Sequence, residues 1–377
     1  MLKIGVDFHA FDGKFQGSRS HLIGLYRAMI SLCPDVDFVL FLDRVDELRS
    51  LSGFDRPNVQ CVRMPSANPL WRLAWQLPRL ARQHRLDVLH TQYIVPFWPG
   101  CRTVVTIHDV LFEPYPEYFT PFFVWRSRWL FRRSAQRADA VMTVSEYSRR
   151  EISRRYQVPE ARIGLLLNAV DLQVFHPARD DGRAILQRRN LESGRYILTV
   201  GRIEPRKDHA TLLRAYAQLG DGAPPLVIVG QRDFGNRAFD QALQTLPAGC
   251  DVRLLSDVSD MELPVLLQHA LALAYPSRAE GFGMPPLEAM ACGTPVVTCN
   301  STALPEVVGD AGLLIQPGDV DGLASQLRRL IDQPALRQEL SQRSLIRSRT
   351  FSWSRAAQVL QQSLVQMGLQ HQSPPPR

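Results

Sequence analysis

The chain has 377 residues, of which 45% are hydrophobic and 21% charged, with a formal net charge of +7. That length suits two domains of ordinary size, each able to bury a core, and the composition excludes a disordered or fibrous chain. Residues 1–175 carry 23 Lys and Arg against 17 Asp and Glu, while residues 176–377 carry 21 against 20, so the basic excess sits in the first half, where nucleic acid, an anionic membrane surface or an acidic acceptor can draw on it. Cys33, Cys61, Cys101, Cys250, Cys292 and Cys299 form no Cys-x-x-Cys pair and no zinc-type spacing, which suits reduced thiols in a cytosolic compartment. No apolar run approaches the roughly 18 residues of a membrane span, and no nucleic-acid motif is present.

In chain order, Leu2 to Val6 reads as a first buried parallel strand. A long loop containing Gly17 and Arg19 follows, then a helix from about Ser20. Val36 to Leu42 and Val59 to Met64 are the next strands. LDVLHTQYIVPF ends a strand near His90, and RTVVTIHDVLF ends another at His108-Asp109. A histidine directly after a VVTI strand lies at the carboxyl end of a parallel sheet, where such sheets place ligands. Ala140 to Val144 is a further strand, leading into the helix SEYSRREISRRY with Ser145 as N-cap and Ser148 as the alternative cap. Between these, Phe122, Phe123, Trp125, Trp129, Leu130 and Phe131 interleave with Arg126, Arg128, Arg132, Arg133 and Arg137. Such a helix either lies in the headgroup plane of an anionic membrane or packs its apolar stripe into the core and leaves its arginines solvated.

Residues 176–194 are polar and read as a linker with a short lead-in helix. The strand Tyr196 to Val200 then ends at Gly201, and Arg202 and Lys207 project from the loop before a helix that begins near His209. Two cations at a strand's carboxyl end, facing a helix N-terminus, suit a diphosphate. Pro225 to Val229 and Asp251 to Leu255 are strands, the second followed by a loop containing Val258. Helical periodicity covers Asp319 to Leu330, Pro334 to Arg347 and Phe351 to Met367, and the tail HQSPPPR reads as disordered. Asp35-Val-Asp37 opens a strand beside a turn proline, and Asp319-Val-Asp321 lies in a Pro-Gly-Asp turn. Neither triplet is assigned as a metal site.

The stretch PSRAEGFGMPPLEAMACGTPVVT, residues 276–298, organises this second half. It leaves the strand Leu271 to Tyr275 at Pro276 and enters another at Pro295 to Thr298. Gly281 and Gly283 free the backbone for close approach, Pro285 and Pro286 suit a helix start, and Gly293 suits its end. The loop amides and the positive end of the helix converge on a point that favours phosphate. Glu280 and Glu288 flank that point, and carboxylates there accept hydrogen bonds from hydroxyls. Phosphate and hydroxyls together describe a nucleotide sugar.

Glu280-x7-Glu288 within EGFGMPPLEAMACGTPVV resembles the signature of the retaining glycosyltransferases of family 4. The resemblance implies an α/β GT-B fold: two doubly wound Rossmann-like domains facing a cleft, with a C-terminal helix crossing back to the first domain. It places an acceptor-side domain at 1–175, a nucleotide-sugar domain at 190–348, the crossover helix at 349–368 and a disordered tail at 369–377. NAVDLQVFHP is similar to the family's interdomain passage, with Ala169 where glycine is common.

The same resemblance implies roles for individual residues. Gly17 approaches the donor diphosphate, and Arg202 and Lys207 stabilise it together with the loop of Gly281, Phe282 and Gly283. Glu288 holds the ribose hydroxyls, Glu280 a sugar hydroxyl, Val258 the base, and His108 the sugar near its reacting carbon. The implied reaction is retaining transfer of a hexose, with mannose or rhamnose favoured from a guanosine-linked donor, and with neither metal nor cofactor. The acceptor is a glycan or a polyprenyl-pyrophosphate-linked glycan of bacterial surface polysaccharide. The protein is expected in the cytoplasm, peripheral on the inner face of the cytoplasmic membrane through anionic lipid, and without a nucleic-acid partner. A nucleotide-sugar epimerase of the same architecture and a basic membrane-associated scaffold are the alternatives. The scaffold leaves Glu280, Glu288, Arg202 and Lys207 unexplained.

Overall fold

The computed structural model describes residues 2–13, 17–64, 68–177 and 182–368. The chain divides into two compact units: residues 1–168 with 352–377, and residues 169–351. The divisions fall after Asn168 and before Ser352, a few residues from the expected 175 and 349. The expected tail at 369–377 lies outside the described residues.

In unit 1, β1 (Lys3–Asp7), β2 (Asp37–Leu42), β3 (Val59–Arg63), β4 (Val88–Gln92), β5 (Arg102–Thr106), β6 (Ala140–Thr143) and β7 (Ile163–Leu165) pair in parallel in the order β3-β2-β1-β4-β5-β6-β7. Continuous apolar strands are what a sheet covered on both faces requires, because alternate residues serve opposite faces. Ile4, Val6, Phe38 and Leu40 meet the helices Gly17–Leu32 and Trp353–Gln366. Val39, Phe41 and Leu89 meet the helix Leu77–Gln83, and Val105 and Val141 meet the helices Pro121–Arg137 and Glu146–Tyr156.

In unit 2, β8 (Ile197–Val200), β9 (Leu226–Val229), β10 (Val252–Leu255), β11 (Ala272–Tyr275), β12 (Val296–Cys299) and β13 (Gly312–Ile315) run parallel in the order β10-β9-β8-β11-β12-β13. Both sheets are doubly wound, and their strand order reverses between β1 and β4 and between β8 and β11. Ligands of such sheets bind outside the carboxyl ends at the reversal. The loops that matter are therefore those after β1, β4, β8 and β11.

Local signals explain most boundaries. Ser145 caps the helix Glu146–Tyr156 by accepting from the Ser148 amide at 3.1 Å. Asp319 caps Val320–Asp332 by accepting from Gly322 at 2.8 Å, and Asp321 accepts from Gln218 at 2.8 Å, so both carboxylates of that triplet have structural partners. One expectation is corrected: the first helix begins at Gly17, not near Ser20, which makes Gly17 a helical residue and not a loop glycine. Part of the expected loop, residues 14–16, lies outside the described residues, as do residues 178–181 of the linker.

The last helix, Trp353–Gln366, returns to unit 1 and buries Ala356, Ala357, Leu360 and Leu364 beside Gly17–Leu32. Gly24 makes that approach possible, since a Cβ on it would lie 2.1 Å from the Trp353 ring. Gly24→Ala is expected to destabilise unit 1 by about 1–3 kcal/mol, as overpacking against a bulky ring does. Urea unfolding with an unchanged slope measures it, and wild-type stability would show that this contact does not seat the helix.

Candidate active site

β8 and β11 are paired neighbours, Ala272 with Ile197 and Leu273 with Leu198, so the loops leaving them meet. A Cβ on Gly230 would lie 2.0 Å from the Gly201 carbonyl oxygen, an approach only glycine permits. From Gly201 the chain passes through a tight turn, Pro205–Lys207. Asp208 then adopts φ +51 and caps the helix His209–Ala217, accepting from the Thr211 amide at 3.3 Å. Arg278, from the loop after β11, donates to the same Asp208 at 2.7 Å and ties the two loops together.

The turn delivers Lys207 onto Glu280. Its Nζ lies 2.6 Å from Glu280 Oε1, donates to the Tyr275 hydroxyl at 2.5 Å and sits 4.9 Å from the Tyr275 ring centre. Glu280 Oε1 also accepts from Tyr275 at 2.9 Å and Ser277 at 2.6 Å, while Oε2 takes Arg206 at 2.9 Å. Arg206 continues to Glu204 and the Ala279 carbonyl, each at 2.6 Å, and the Glu280 amide donates to Thr302 at 2.9 Å. Burial alone would raise the Glu280 pKa. Arg206 and Lys207 overcome that and hold it at about 2. Burial works against the Lys207 ammonium and Glu280 works for it.

Sequence reasoning found Lys207 and Glu280 but not Arg206, Tyr275 and Ser277. The signal for Arg206 is its place beside Lys207 in the same turn, and Tyr275 is the last residue of β11. Their use makes Glu280 chiefly an anchor for Lys207 and Arg206. Arg202 is not gathered into this cluster. Its guanidinium pairs with Asp233 at 2.5 Å in an exposed contact, a kind of pairing worth little in water.

Gly283, at φ +115, is the N-cap of the helix Met284–Ala291. Pro285 and Pro286 bring no N–H, so the amides available at this end are those of Phe282, Gly283 and Met284, which have no hydrogen-bond partner among the described residues. The Phe282 side chain turns inward and meets Phe351 edge-on at 5.7 Å. Glu288, half-buried on the same helix, has no hydrogen-bond or ion-pair partner among the described residues. Burial first, and the nearby Asp260 second, raise its pKa to about 7. Asp260 belongs to the loop after β10 that carries Val258, itself half-buried on the unit 2 core.

In unit 1, His108 is buried two residues beyond β5. It bonds Gln92 Oε1 through Nε2 at 2.7 Å, lies edge-on to His21 at 4.8 Å and against Tyr93 at 5.2 Å. Burial, then His21 and His90, hold it well below its usual range, and it is neutral. His21 reaches Asn168 at 2.7 Å, and His90 bonds Tyr26 and Thr106. The sequence pattern had singled out neither His21 nor Gln92. Gly17 is exposed at the start of its helix, and Arg19 stands 4.8 Å from the Phe11 ring centre.

The helix Pro121–Arg137 has both of the faces that its sequence left open. Val124, Ser127, Phe131, Ser134 and Ala135 are buried, whereas Phe122, Trp125 and Trp129 are 67%, 72% and 59% exposed. Phe97 and Trp98 extend the exposed face, with Phe97 5.8 Å from Trp129 and Arg133 4.0 Å from the Phe97 ring centre. No helix among the described residues is long and apolar enough to cross a membrane. No group of three or more His, Cys, Asp or Glu among them is gathered as metal ligands would be.

Two doubly wound sheets, a free-amide helix start and a clamped Glu-Lys pair define the GT-B class of sugar-transferring enzyme. The chain belongs to that class and, within it, to the group 1 glycosyltransferases: residues 183–345 match the glycosyl transferases group 1 model and residues 15–174 the glycosyltransferase family 4 model. It is 35% identical over 255 residues, 67% of each chain, to the O-antigen chain mannosyltransferase B of Escherichia coli. It is 29% identical over 230 residues, 61% of each chain, to the O-antigen chain mannosyltransferase RfbU of Salmonella typhimurium. The fold matches that of Anabaena HepE, solved in complex with UDP-glucose, at a TM-score of 0.77 over 97% of this chain and 100% of that one, with 20% identity.

Because Glu280 is depressed from 4.5 to about 2 in the folded state, its stabilisation is present above pH 4.5 and lost as pH falls toward 2. Glu280→Gln should therefore cost roughly 3 kcal/mol or more at pH 7, leaving Lys207 without its carboxylate and Arg206 with Glu204 alone. The gap to wild type should narrow in urea titrations below pH 4.5. A gap independent of pH would show that the Glu280 charge does not hold the cluster.

Proposed function

We propose that the protein transfers mannose, with retention, from a guanosine diphosphosugar to a hydroxyl of a glycan or lipid-linked glycan in surface polysaccharide synthesis. The observation that carries the donor side is the row of unpartnered amides at Phe282, Gly283 and Met284 beside the buried Lys207 ammonium, two devices that both favour an anion. The mannosyl preference rests on the O-antigen mannosyltransferases to which the chain is similar. The guanosine base and retention rest on the sequence signature.

In this reading the departing diphosphate takes its negative charge against Lys207 and the amides, and Arg202 exchanges Asp233 for a phosphate oxygen. That is electrostatic stabilisation aimed at charge that develops in the transition state, so no divalent cation and no cofactor is needed. Glu288, without a protein partner, accepts from ribose hydroxyls. Val258 borders the base, Gly17 lies by the diphosphate and His108 serves the sugar. The acceptor belongs to unit 1. Its exposed face of Phe122, Trp125, Trp129 and Trp98, flanked by arginines, rests on the inner, anionic leaflet of the cytoplasmic membrane as an amphipathic helix does.

Lys207→Ala and Arg202→Ala should each lower kcat/KM by the equivalent of about 2–4 kcal/mol, with turnover unaffected by excess chelator. Wild-type turnover in either folded variant would place the phosphate site elsewhere, and rescue by magnesium after chelation would overturn the metal-free reading. Guanosine diphosphomannose should raise the melting temperature more than uridine, thymidine or adenosine diphosphosugars, and Glu288→Ala should remove most of that rise.

For the membrane contact, wild type should co-sediment with phosphatidylglycerol vesicles at low salt and not at high salt. Trp125→Ala/Trp129→Ala should stay in the supernatant. Equal sedimentation of the two proteins would assign the exposed aromatics another role.

A further inference from the structure

A second amphipathic stretch of unit 1 presents large apolar side chains to solvent. The chain is helical from Pro69 to Gln83, with one wide turn, Arg72–Gln76, in its middle. Pro78 follows that turn and has no N–H for the carbonyl four residues back, which favours such a widening. Arg72, Leu77, Pro78 and Ala81 are buried, and Leu77 and Ala81 pack with Leu89 of the sheet. Leu70, Trp71 and Trp75 are instead 68%, 51% and 45% exposed. Trp71 and Trp75 stack at 4.7 Å, and Arg79 lies 4.9 Å from the Trp75 ring centre. A lone surface indole is ordinary, but a row of three such side chains marks an interaction surface.

This row continues into the exposed aromatic face of the helix Pro121–Arg137. A Cβ on Gly100 would lie 3.4 Å from Arg82 Cγ, so the segment after β4 runs beside the end of the stretch. Two residues before Gly100, the exposed Trp98 ring is 5.8 Å from Phe97, which in turn is 5.8 Å from Trp129 and 4.0 Å from the Arg133 guanidinium. The three segments, 69–83, 93–102 and 121–137, contain nine arginines, of which only Arg72 is buried, and no aspartate or glutamate. Arg79, Arg82, Arg126 and Arg137 have no ion-pair partner among the described residues. Exposed rings and charge of one sign complement an anionic bilayer, in which rings settle at the headgroup level while arginines reach the phosphates. A second copy of the chain on this face would set arginine against arginine, with no acidic residue in the three segments to offset them.

We propose that residues 69–83 form a second membrane limb, in which Leu70, Trp71 and Trp75 enter the headgroup level of an anionic bilayer and Arg79 and Arg82 meet its phosphates. The limb rests on the membrane reading above for its partner, and adds that unit 1 lies on the bilayer through two helices. Two limbs fix an orientation, whereas one leaves rotation about its own axis free. Both leave from the carboxyl edge of the sheet, since Arg72 reaches Asp7 at the end of β1 at 3.3 Å and Phe97 comes five residues after the end of β4. The docked face therefore borders the edge at which such a sheet places its ligand, which suits an acceptor carried by a lipid.

The test is co-sedimentation of the full chain with phosphatidylglycerol vesicles at low salt, beside phosphatidylcholine vesicles. Wild type should partition onto the anionic vesicles alone. Trp71→Ala/Trp75→Ala should partition about tenfold more weakly, and Arg79→Gln/Arg82→Gln about tenfold to thirtyfold more weakly. These side chains are exposed, so both variants should keep the circular dichroism and the donor-dependent thermal stabilisation of wild type. In Trp98→Phe/Trp125→Phe/Trp129→Phe, at lipid sufficient to bind it, brominated phosphatidylglycerol should quench the remaining fluorescence, and adding Trp71→Phe/Trp75→Phe should abolish that quenching. Wild-type partitioning in both double variants, or quenching that does not depend on Trp71 and Trp75, overturns the limb alone if Trp125→Ala/Trp129→Ala still releases the protein. Release of Trp71→Ala/Trp75→Ala while Trp125→Ala/Trp129→Ala stays bound upholds the limb and sinks the contact through Pro121–Arg137 alone. A wild type that stays in the supernatant, or binds phosphatidylcholine equally, sinks both. Lipid-free dimerisation that Trp71→Ala/Trp75→Ala abolishes makes this face an interface between copies and overturns the limb.

Discussion

The loops that leave β8 and β11 depend on one buried carboxylate. Glu280 gathers a lysine, an arginine, a tyrosine and a serine around two oxygens, drawn from three places in the chain: the turn after β8 supplies the lysine and the arginine, the end of β11 the tyrosine and the loop beyond it the serine. Because β8 and β11 are neighbours only through the strand-order reversal, the cluster is a product of topology. It locks the loop before Gly281 at the position where the next residues must present their amides. Breaking such a buried ion pair is costly, but against a well-packed apolar replacement it adds little, since desolvation consumes most of the attraction. What it supplies is position.

Pairing has a consequence for charge. Arg206 is balanced by Glu204 and Glu280, and Arg202 by Asp233, so this edge does not carry the bare positive field that a list of its cations suggests. The attraction for an anion then comes from oriented dipoles, with prolines having removed two N–H groups of the first turn and concentrated the remaining donors at 282–284. Preorganised amides of this sort need no reorganisation as charge develops. Arg202, held only by an exposed contact, is the cation that a ligand can recruit at low cost.

The signature of unit 2 was legible because its chemistry is local: glycines, prolines and two glutamates within nine residues dictate a strand, a loop and a helix start wherever they occur. Lys207 and Arg202 were legible as cations after a strand. Arg206, Tyr275 and Ser277 were not, since nothing in their sequence neighbourhood says that β8 and β11 pair. The same limit applies in unit 1. His108 was found from the strand before it, but Gln92, which holds its Nε2, lies on β4 and enters through sheet order alone. The first helix, expected from about Ser20, already includes Gly17. β7 and β13 escaped because they are short edge strands, each only partly buried.

Two buried clusters treat their polar groups differently. The Glu280 cluster of unit 2 is ionised and paired, which fixes its loops at one charge state near neutrality. Unit 1 keeps its buried histidines neutral, His21 at about 4 and His90 at about 3, and joins them to amides, a phenol and a hydroxyl. A neutral His108 can hand a hydrogen bond to Gln92 without burying a charge. Unit 1 has its charge excess on the outside, in the arginines around Trp125 and Trp129, and its acceptors inside. That separation leaves a basic, aromatic outer face and a neutral histidine network as two distinct environments within one domain.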